Sequence, residues 1–342
     1  MHHTNTAIVC FPCDGGVKQF SDALFSVCKK TYDGIRYVQC ENGRWRRLKS
    51  MMQVLSEKHV IFTCNHIYIY FFLLLYTGRV TLILHDHKVR AGSSLHERLI
   101  IKLFLLFKWR FSKVIIHQSM DKEAQNLLTA SNIVFIKMPA HGIDFDFTKN
   151  DLIEEIKHKY SVLYPSFSNW QASKKVKLLC FGRIEEYKNF AWFSKIVSRS
   201  HSCELLIAGS GEPSDEIRLN VGLANNQSLI NMYIPDEFAG VLFQSCNYLV
   251  LPYKDITQTG LIEVAGYFSK PVILSDIKPF ALPEYEDFAF HVKINDDAIN
   301  NDQLADLPLP FTKKYEQMCL ESHRYYISSL DSWSSYVSSI MS

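Results

Sequence analysis

The 342-residue chain has no long hydrophobic run, no excess of charge of either sign and no framework of paired cysteines. Its longest apolar stretch, Ile67 to Tyr76, is half of the ~20 residues that a bilayer-spanning helix needs, and it reads as a buried helix. A formal net charge of +2 gives no general pull on polyanions, so nucleic acid is not an expected partner. The nine cysteines fall mostly singly inside apolar runs, as at Cys28, Cys40 and Cys64, which predicts reduced, packed thiols and a cytoplasmic protein. The C-x-x-C at Cys10 and Cys13 has no second Cys or His pair at metal spacing and runs into Asp-Gly-Gly; no metal is expected there. The opening Met-His-His-Thr-Asn-Thr leads straight into a strand-like Ala7 to Phe11, which predicts no secretion signal. No G-x-G-x-x-G is present, so a dinucleotide cofactor is not expected.

What is present is a globular composition, 47% hydrophobic and 21% charged, in a length that predicts two domains. Short apolar runs alternate with helical patterns throughout. In the first half strands are expected at Ala7 to Phe11, Arg36 to Gln39, Val60 to Thr63, Val80 to Leu84, Lys113 to His117 and Ile133 to Lys137, with a helix from about Val17 to Lys30. In the second half they are expected at Val176 to Phe181, Glu204 to Ala208, Tyr248 to Leu251, Pro271 to Leu274 and Phe288 to Val292. Alternation of this kind implies α/β domains with parallel sheets covered on both faces, and a domain boundary within Asp151 to Lys175.

Ligands of such sheets collect at the carboxyl ends of the strands. After Tyr248 to Leu251 comes Asp255-Ile-Thr-Gln-Thr-Gly-Leu-Ile-Glu263, a polar turn opening a helix at Gly260, whose free amides suit phosphate; the two carboxylates that bracket it suit sugar hydroxyls. After Val176 to Phe181, Gly182 permits a turn, and Arg183 and Lys188 are either a pair of cations for a diphosphate or surface residues of a loop. Gly15 and Gly16, after the first strand, permit close approach of backbone amides to a phosphate or sugar, or form a simple turn. His85 and Asp86 close the strand Val80 to Leu84: the histidine is placed to bond a donor sugar or its phosphate, and Asp86 to orient a ring or meet an acceptor hydroxyl.

Together these residues resemble the GT-B glycosyltransferases, specifically the retaining family 4 or group 1 enzymes, most clearly from about Lys175 to Val292. The family pattern of Gly-Arg with a Lys five residues after the Arg is matched by Gly182, Arg183 and Lys188. Its E-x7-E element is matched by Asp255 and Glu263, with Asp where the family usually has Glu. The resemblance implies the GT-B fold, two Rossmann-like domains with parallel sheets facing across a cleft: an acceptor-side domain at 1–160, a donor-binding domain at 170–325, and a C-terminal helix at 326–342 that returns to the first. It implies that Arg183 and Lys188 hold the donor diphosphate, with Thr259, Gly260 and Leu261 offering further contacts to the phosphates. Glu263 would bond the nucleotide ribose and Asp255 the donor sugar. The implied activity is metal-independent transfer, with retention, of a sugar from a UDP- or GDP-linked donor to a hydroxyl of a glycan or lipid-linked glycan in bacterial surface-polysaccharide biosynthesis. The donor is a substrate, and no cofactor is expected. The alternatives are a sugar-nucleotide epimerase of the same fold and a non-catalytic sugar-nucleotide binding protein.

The segment 95–114 interleaves Arg98, Lys102, Lys108 and Arg110 with Leu, Ile, Phe and Trp109. It is either an amphipathic helix that lies on an anionic membrane surface, at the inner face of the membrane, or a core helix with a solvated basic edge.

Overall fold

A computed structural model describes residues 2–12, 15–85, 94–117, 131–141, 149–256, 259–295 and 303–342. Cys13, Asp14, Asp86 and His87 lie outside the described residues. The chain divides into two compact units: Met1–His141 with 257–260 and Ser328–Ser342, and Gly142–Ile256 with Leu261–Ile327.

The first unit holds a six-stranded sheet in the order β2-β1-β3-β4-β5-β6. Its strands are β1 (His2–Cys10), β2 (Tyr32–Gln39), β3 (His59–Phe62), β4 (Arg79–Leu84), β5 (Lys113–His117) and β6 (Ile133–Ile136), and all five pairings are parallel. Helices α2 (Arg44–Met52), α3 (Ile67–Leu75) and α4 (Leu95–Phe107) carry the chain stepwise from β2 to β5 in one direction across the sheet, whereas α1 (Gly15–Thr31) steps the other way from β1 to β2. With crossovers of one hand, the two directions put helices on opposite faces. The core divides accordingly. Val9, Phe62, Leu82 and Ile116 pack with Ile69, Phe72 and Phe104 of α3 and α4. Their alternating neighbours Ile8, Ile61, Ile83 and Ile115 pack with Phe20 and Leu24 of α1. That second layer is completed by Trp333, Tyr336 and Ile340 of the C-terminal helix Trp333–Met341.

The second unit holds β7 (Val176–Phe181), β8 (Cys203–Ala208), β9 (Gln227–Ile230), β10 (Tyr248–Leu251), β11 (Val272–Ser275) and β12 (Ala289–Val292), ordered β12-β11-β10-β7-β8-β9, again all parallel. Its helices are α5 (Asn150–Leu163), α6 (Pro165–Ala172), α7 (Phe190–Ser198), α8 (Asp215–Leu223), α9 (Asp236–Ser245), α10 (Leu261–Tyr267) and α11 (Lys313–Asp331); Trp333–Met341 of the first unit is α12. A single large core joins both faces of this sheet to its helices.

Three expectations differ from this architecture. The units divide at His141, not near 160, so α5 clusters with the second unit. The strand β9 was not expected, because Gln227 and Ser228 interrupt the apolar pattern of an edge strand only four residues long. The helix α3 is not wholly buried: Ile69, Tyr70, Phe72 and Leu73 face the core while Phe71, Leu74 and Leu75 are exposed.

Two glycines on helices meet opposite surroundings. A Cβ on Gly266 of α10 would lie 2.7 Å from the Ser322 carbonyl oxygen and 2.8 Å from Tyr326 Cβ, both on α11, whereas a Cβ on Gly222 of α8 meets nothing. Gly266→Ala is therefore expected to cost about 1–3 kcal/mol through overpacking. Gly222→Ala should be neutral or stabilising by up to ~1 kcal/mol, since only unfolded-chain entropy changes. Urea midpoints of the two variants at constant slope check the contrast.

Candidate functional site

In the second unit the chain leaves β7 toward β8 and β9, then returns to build β10, β11 and β12 on the other side, so the crevice between the carboxyl ends of β7 and β10 is the topological switch point. The loop after β7 begins with Gly182 at φ 97, a left-handed conformation that favours glycine. Gly182 N donates to the Ala208 carbonyl at 2.9 Å and Ile184 N to that of Ser210 at 2.7 Å, which binds this loop to the one after β8. Closure on that scale leaves no room for side chains. A Cβ on Gly209 would fall on the Gly182 carbonyl, and one on Gly211 would lie 2.6 Å from the Ile184 carbonyl oxygen. Sequence reasoning passed over Gly209 and Gly211, although a pair of glycines directly after the strand Glu204 to Ala208 was a legible signal.

Lys188 ends a short 3-10 turn, Glu186–Lys188, that Asn189 closes in the left-handed conformation at φ 58. Its side chain folds inward and is only 7% exposed. The ammonium lies 5.8 Å from the ring centroids of Phe190 and Tyr253, and 2.8 Å from where a Cβ of Gly182 would stand. The aromatic faces favour a cation there. Lys254 N donates to the Tyr187 carbonyl at 2.8 Å, so the loops after β7 and β10 are joined across the switch point. Arg183, by contrast, is exposed and pairs with Glu185 at 3.2 Å, an ion pair of little weight in solvent.

On the β10 side Asp255 is half-buried, and Thr259, Gly260 and Leu261 lead into α10. Glu263 stands in the first turn of α10, where the helix dipole favours a carboxylate, and is only 4% exposed. Tyr325 of α11 donates its hydroxyl to Glu263 Oε1 at 2.9 Å. Burial first, then the Glu263 charge, push the Tyr325 and Tyr285 hydroxyls above their ordinary range, so both remain donors at every physiological pH. Neither tyrosine was forecast as part of the site. Thus Arg183, Lys188, Asp255, Leu261 and Glu263 all belong to the loops and helix start around one switch point of the second unit.

The first unit has its own switch point between β1 and β3. Gly15 takes φ 77 at the start of α1, and a Cβ on either Gly15 or Gly16 meets nothing, so what Gly15 supplies is backbone conformation and not packing. His85, after β4, donates from Nε2 to the Thr63 carbonyl at 2.8 Å and packs edge-on against Phe20 with ring centroids 5.6 Å apart. Its predicted partner Asp86 lies outside the described residues. Two histidines that sequence reasoning missed complete a cluster. His117, at the end of β5, lies 5.1 Å from His85 by ring centroids, with Nε2 2.6 Å from the Tyr336 hydroxyl. His141 packs against Phe20 at 6.0 Å, and its Cε1 lies 3.2 Å from where a Cβ of Gly260 would stand. His117 had the same signal as His85, a histidine at a strand's carboxyl end; His141 follows an irregular segment and had none.

Burial, with a smaller contribution from the charge of His85, pushes His141 down to about 4; burial likewise pushes His59 of β3 down to about 4, helped by Arg79 and Lys113. The unfolded chain takes up these protons near pH 6.5 and the folded one only near 4, so acid favours unfolding throughout that window. Stability should fall by about 2 kcal/mol per histidine between pH 7 and pH 5. His141→Gln should flatten the dependence of the urea midpoint on pH in this range.

No family model matches the sequence, and no curated protein matches it. Solved structures do. The chain is similar to sucrose-phosphate synthase from Thermosynechococcus elongatus, with a TM-score of 0.67 at 10% identity over 97% of this chain and 96% of that one. It is similar to HepE from Anabaena in complex with UDP-glucose, with a TM-score of 0.65 at 11% identity over 97% and 99% of the two chains. WaaG, a glycosyltransferase involved in lipopolysaccharide biosynthesis, matches with a TM-score of 0.61 at 10% identity over 98% and 99%. At such identities the likeness is one of fold, and with two six-stranded parallel sheets covered by helices this chain has the GT-B fold of those glycosyltransferases.

Proposed function

We infer that this protein is a glycosyltransferase that moves a sugar from a nucleotide-diphosphate donor to a hydroxyl of a glycan or lipid-linked glycan. The observation that carries the reading is Lys188: a buried ammonium held beside a left-handed glycine at the switch point of a parallel sheet, in a fold whose solved example HepE holds UDP-glucose. A cation at the carboxyl ends of parallel strands suits a diphosphate, the kind of ligand that such a crevice collects. Lys188 and the exposed Arg183 take the diphosphate, and the backbone around Thr259, Gly260 and Leu261 adds donors. Glu263, pre-oriented by Tyr325, accepts from ribose hydroxyls, and Asp255 accepts from the donor sugar. Gly15, Gly16, His85 and Asp86 are assigned to the sugar and the acceptor.

In the reaction the bond from the anomeric carbon to the diphosphate oxygen breaks, and negative charge grows on that oxygen. Fixed cations and amides stabilise this charge more than they stabilise the intact donor, which lowers the barrier without a metal ion. The acceptor hydroxyl attacks on the face the diphosphate leaves, and its proton passes to a departing phosphate oxygen, so the configuration is retained. A role in surface-polysaccharide synthesis is supported by the likeness to WaaG; a place at the cytoplasmic face of the membrane, with the exposed residues of the segment 95–114 in contact with lipid, belongs to the same reading.

Calorimetric titration with UDP and GDP, and with their glucose, mannose and N-acetylglucosamine conjugates, tests the donor site. Binding of one base series is expected. Lys188→Ala should weaken it about ten- to a hundredfold, the range of a lost charge-assisted hydrogen bond. Glu263→Gln should weaken nucleoside diphosphate binding while leaving inorganic diphosphate unaffected. Diphosphate binding that survives Arg183→Ala with Lys188→Ala would overturn the assignment, and epimer formation from the donor alone, without acceptor, would replace transfer with epimerisation.

A further inference from the structure

The outer surface of the α2–α3–α4 layer is apolar where a solvated helix layer should be polar. These three helices cover one face of the first unit's sheet, with Met51, Phe72 and Phe104 turned inward. On α2 the outward positions at helical spacing are Trp45, Leu48 and Met52, and Trp45 is 83% exposed. On α3, whose nine residues are apolar on every side, Phe71, Leu74 and Leu75 are left outside, with Leu75 72% exposed. On α4 and the turn after it, Leu99, Leu106 and Trp109 continue the surface. Neighbouring helices thus contribute one stripe each. Single exposed apolar residues are ordinary, but contiguous patches beyond roughly a few hundred Å2 mark contact surfaces.

The charges on these segments select the partner. The ranges Arg44–Met52, Ile67–Leu75 and Leu95–Arg110 carry eight basic residues, four on α2 and four at Arg98, Lys102, Lys108 and Arg110. They carry one acidic residue, Glu97, which the Ser94 capping box engages. A two-fold contact with a second copy would press this basic face against itself; an anionic lipid surface neutralises it while the apolar stripes enter the acyl boundary. No helix among the described residues is long and apolar enough to cross a membrane, so the contact lies along the surface.

We propose that the outward face of α2, α3 and α4 docks the protein on an anionic bilayer, with Trp45 at the start of α2 and Leu75 at the end of α3 as two of its most exposed apolar anchors. This enlarges the contact assigned above to residues 95–114, where the helix in fact ends at Phe107 and Lys113 already belongs to β5. It adds α2 as an electrostatic element: the helix has no acidic residue, and of its four cations Arg46 pairs at 2.9 Å with Glu41, just before the helix start. The proposal concerns partner and orientation, and it fails or stands independently of the donor site.

Co-sedimentation of the full chain with phosphatidylcholine vesicles, with and without phosphatidylglycerol, tests it. Binding is expected only to the anionic vesicles and should weaken with salt. Lys49→Gln and Lys102→Gln should each reduce binding about fivefold, as expected for one basic residue near such a surface. Trp45→Ser combined with Leu75→Ser should reduce it by roughly tenfold or more. All four positions are exposed, so unchanged thermal melts and nucleotide binding are expected and separate lost docking from lost folding. Failure of the wild-type chain to bind anionic vesicles would overturn the proposal. So would self-association in lipid-free solution that the Trp45→Ser, Leu75→Ser variant abolishes, which would assign the face to a second copy.

Discussion

Everything arranged around the second unit's switch point depends on two backbones meeting without side chains between them. The carbonyl of Gly182 occupies the place a Cβ of Gly209 would take, and Gly211 stands against Ile184 in the same way. Only glycine allows the loops after β7 and β8 to close to hydrogen-bonding distance. That closure sets the path of Gly182 through its left-handed conformation, and the path in turn sets where Lys188 can lie. A Cβ at Gly182 would stand 2.8 Å from the Lys188 ammonium, so glycine at 182 provides both the turn and the space for the cation.

The two ionic groups at this crevice are held by different means. Lys188 rests beside the aromatic rings of Phe190 and Tyr253, whose faces favour a cation. Glu263 is held by a hydroxyl, that of Tyr325, and by its place in the first turn of α10. A tyrosine that stays protonated fixes the carboxylate in orientation without removing its charge.

The carboxyl ends of the strands were legible because buried parallel strands are nearly continuous apolar runs, and the residues directly after such a run lie at the ligand edge. Lys113–His117, Val176–Phe181 and Tyr248–Leu251 occur where the runs indicate, and with them the candidate residues Lys188, Asp255 and Glu263. The supports of those residues were not legible. Tyr325 meets Glu263 from 62 positions away, and His141 meets Phe20 through packing of an irregular segment; neither contact leaves a periodic trace. The edge strand β9 escaped because half-burial tolerates Gln227 and Ser228. The division of the units escaped because α5 has an amphipathic pattern that would serve either neighbour.

The helix α3 shows why composition alone misassigns a surface. Nine apolar residues in sequence read as a core helix, since a helix hydrophobic on all sides normally has no solvent face. Its place in the sheet decides otherwise: a helix that connects adjacent strands lies in a single layer, so one side meets the sheet and the opposite side meets whatever surrounds the protein. Core packing explains Ile69, Phe72 and Leu73 but cannot explain Phe71, Leu74 and Leu75. A soluble layer of this kind could be built with charged residues at the outer positions at no cost to the sheet, as α1 demonstrates on the opposite face with exposed Lys29 and Lys30. Retaining leucine and phenylalanine outside, next to a helix whose charges are all basic, is consistent with a surface whose normal surroundings are lipid and not water.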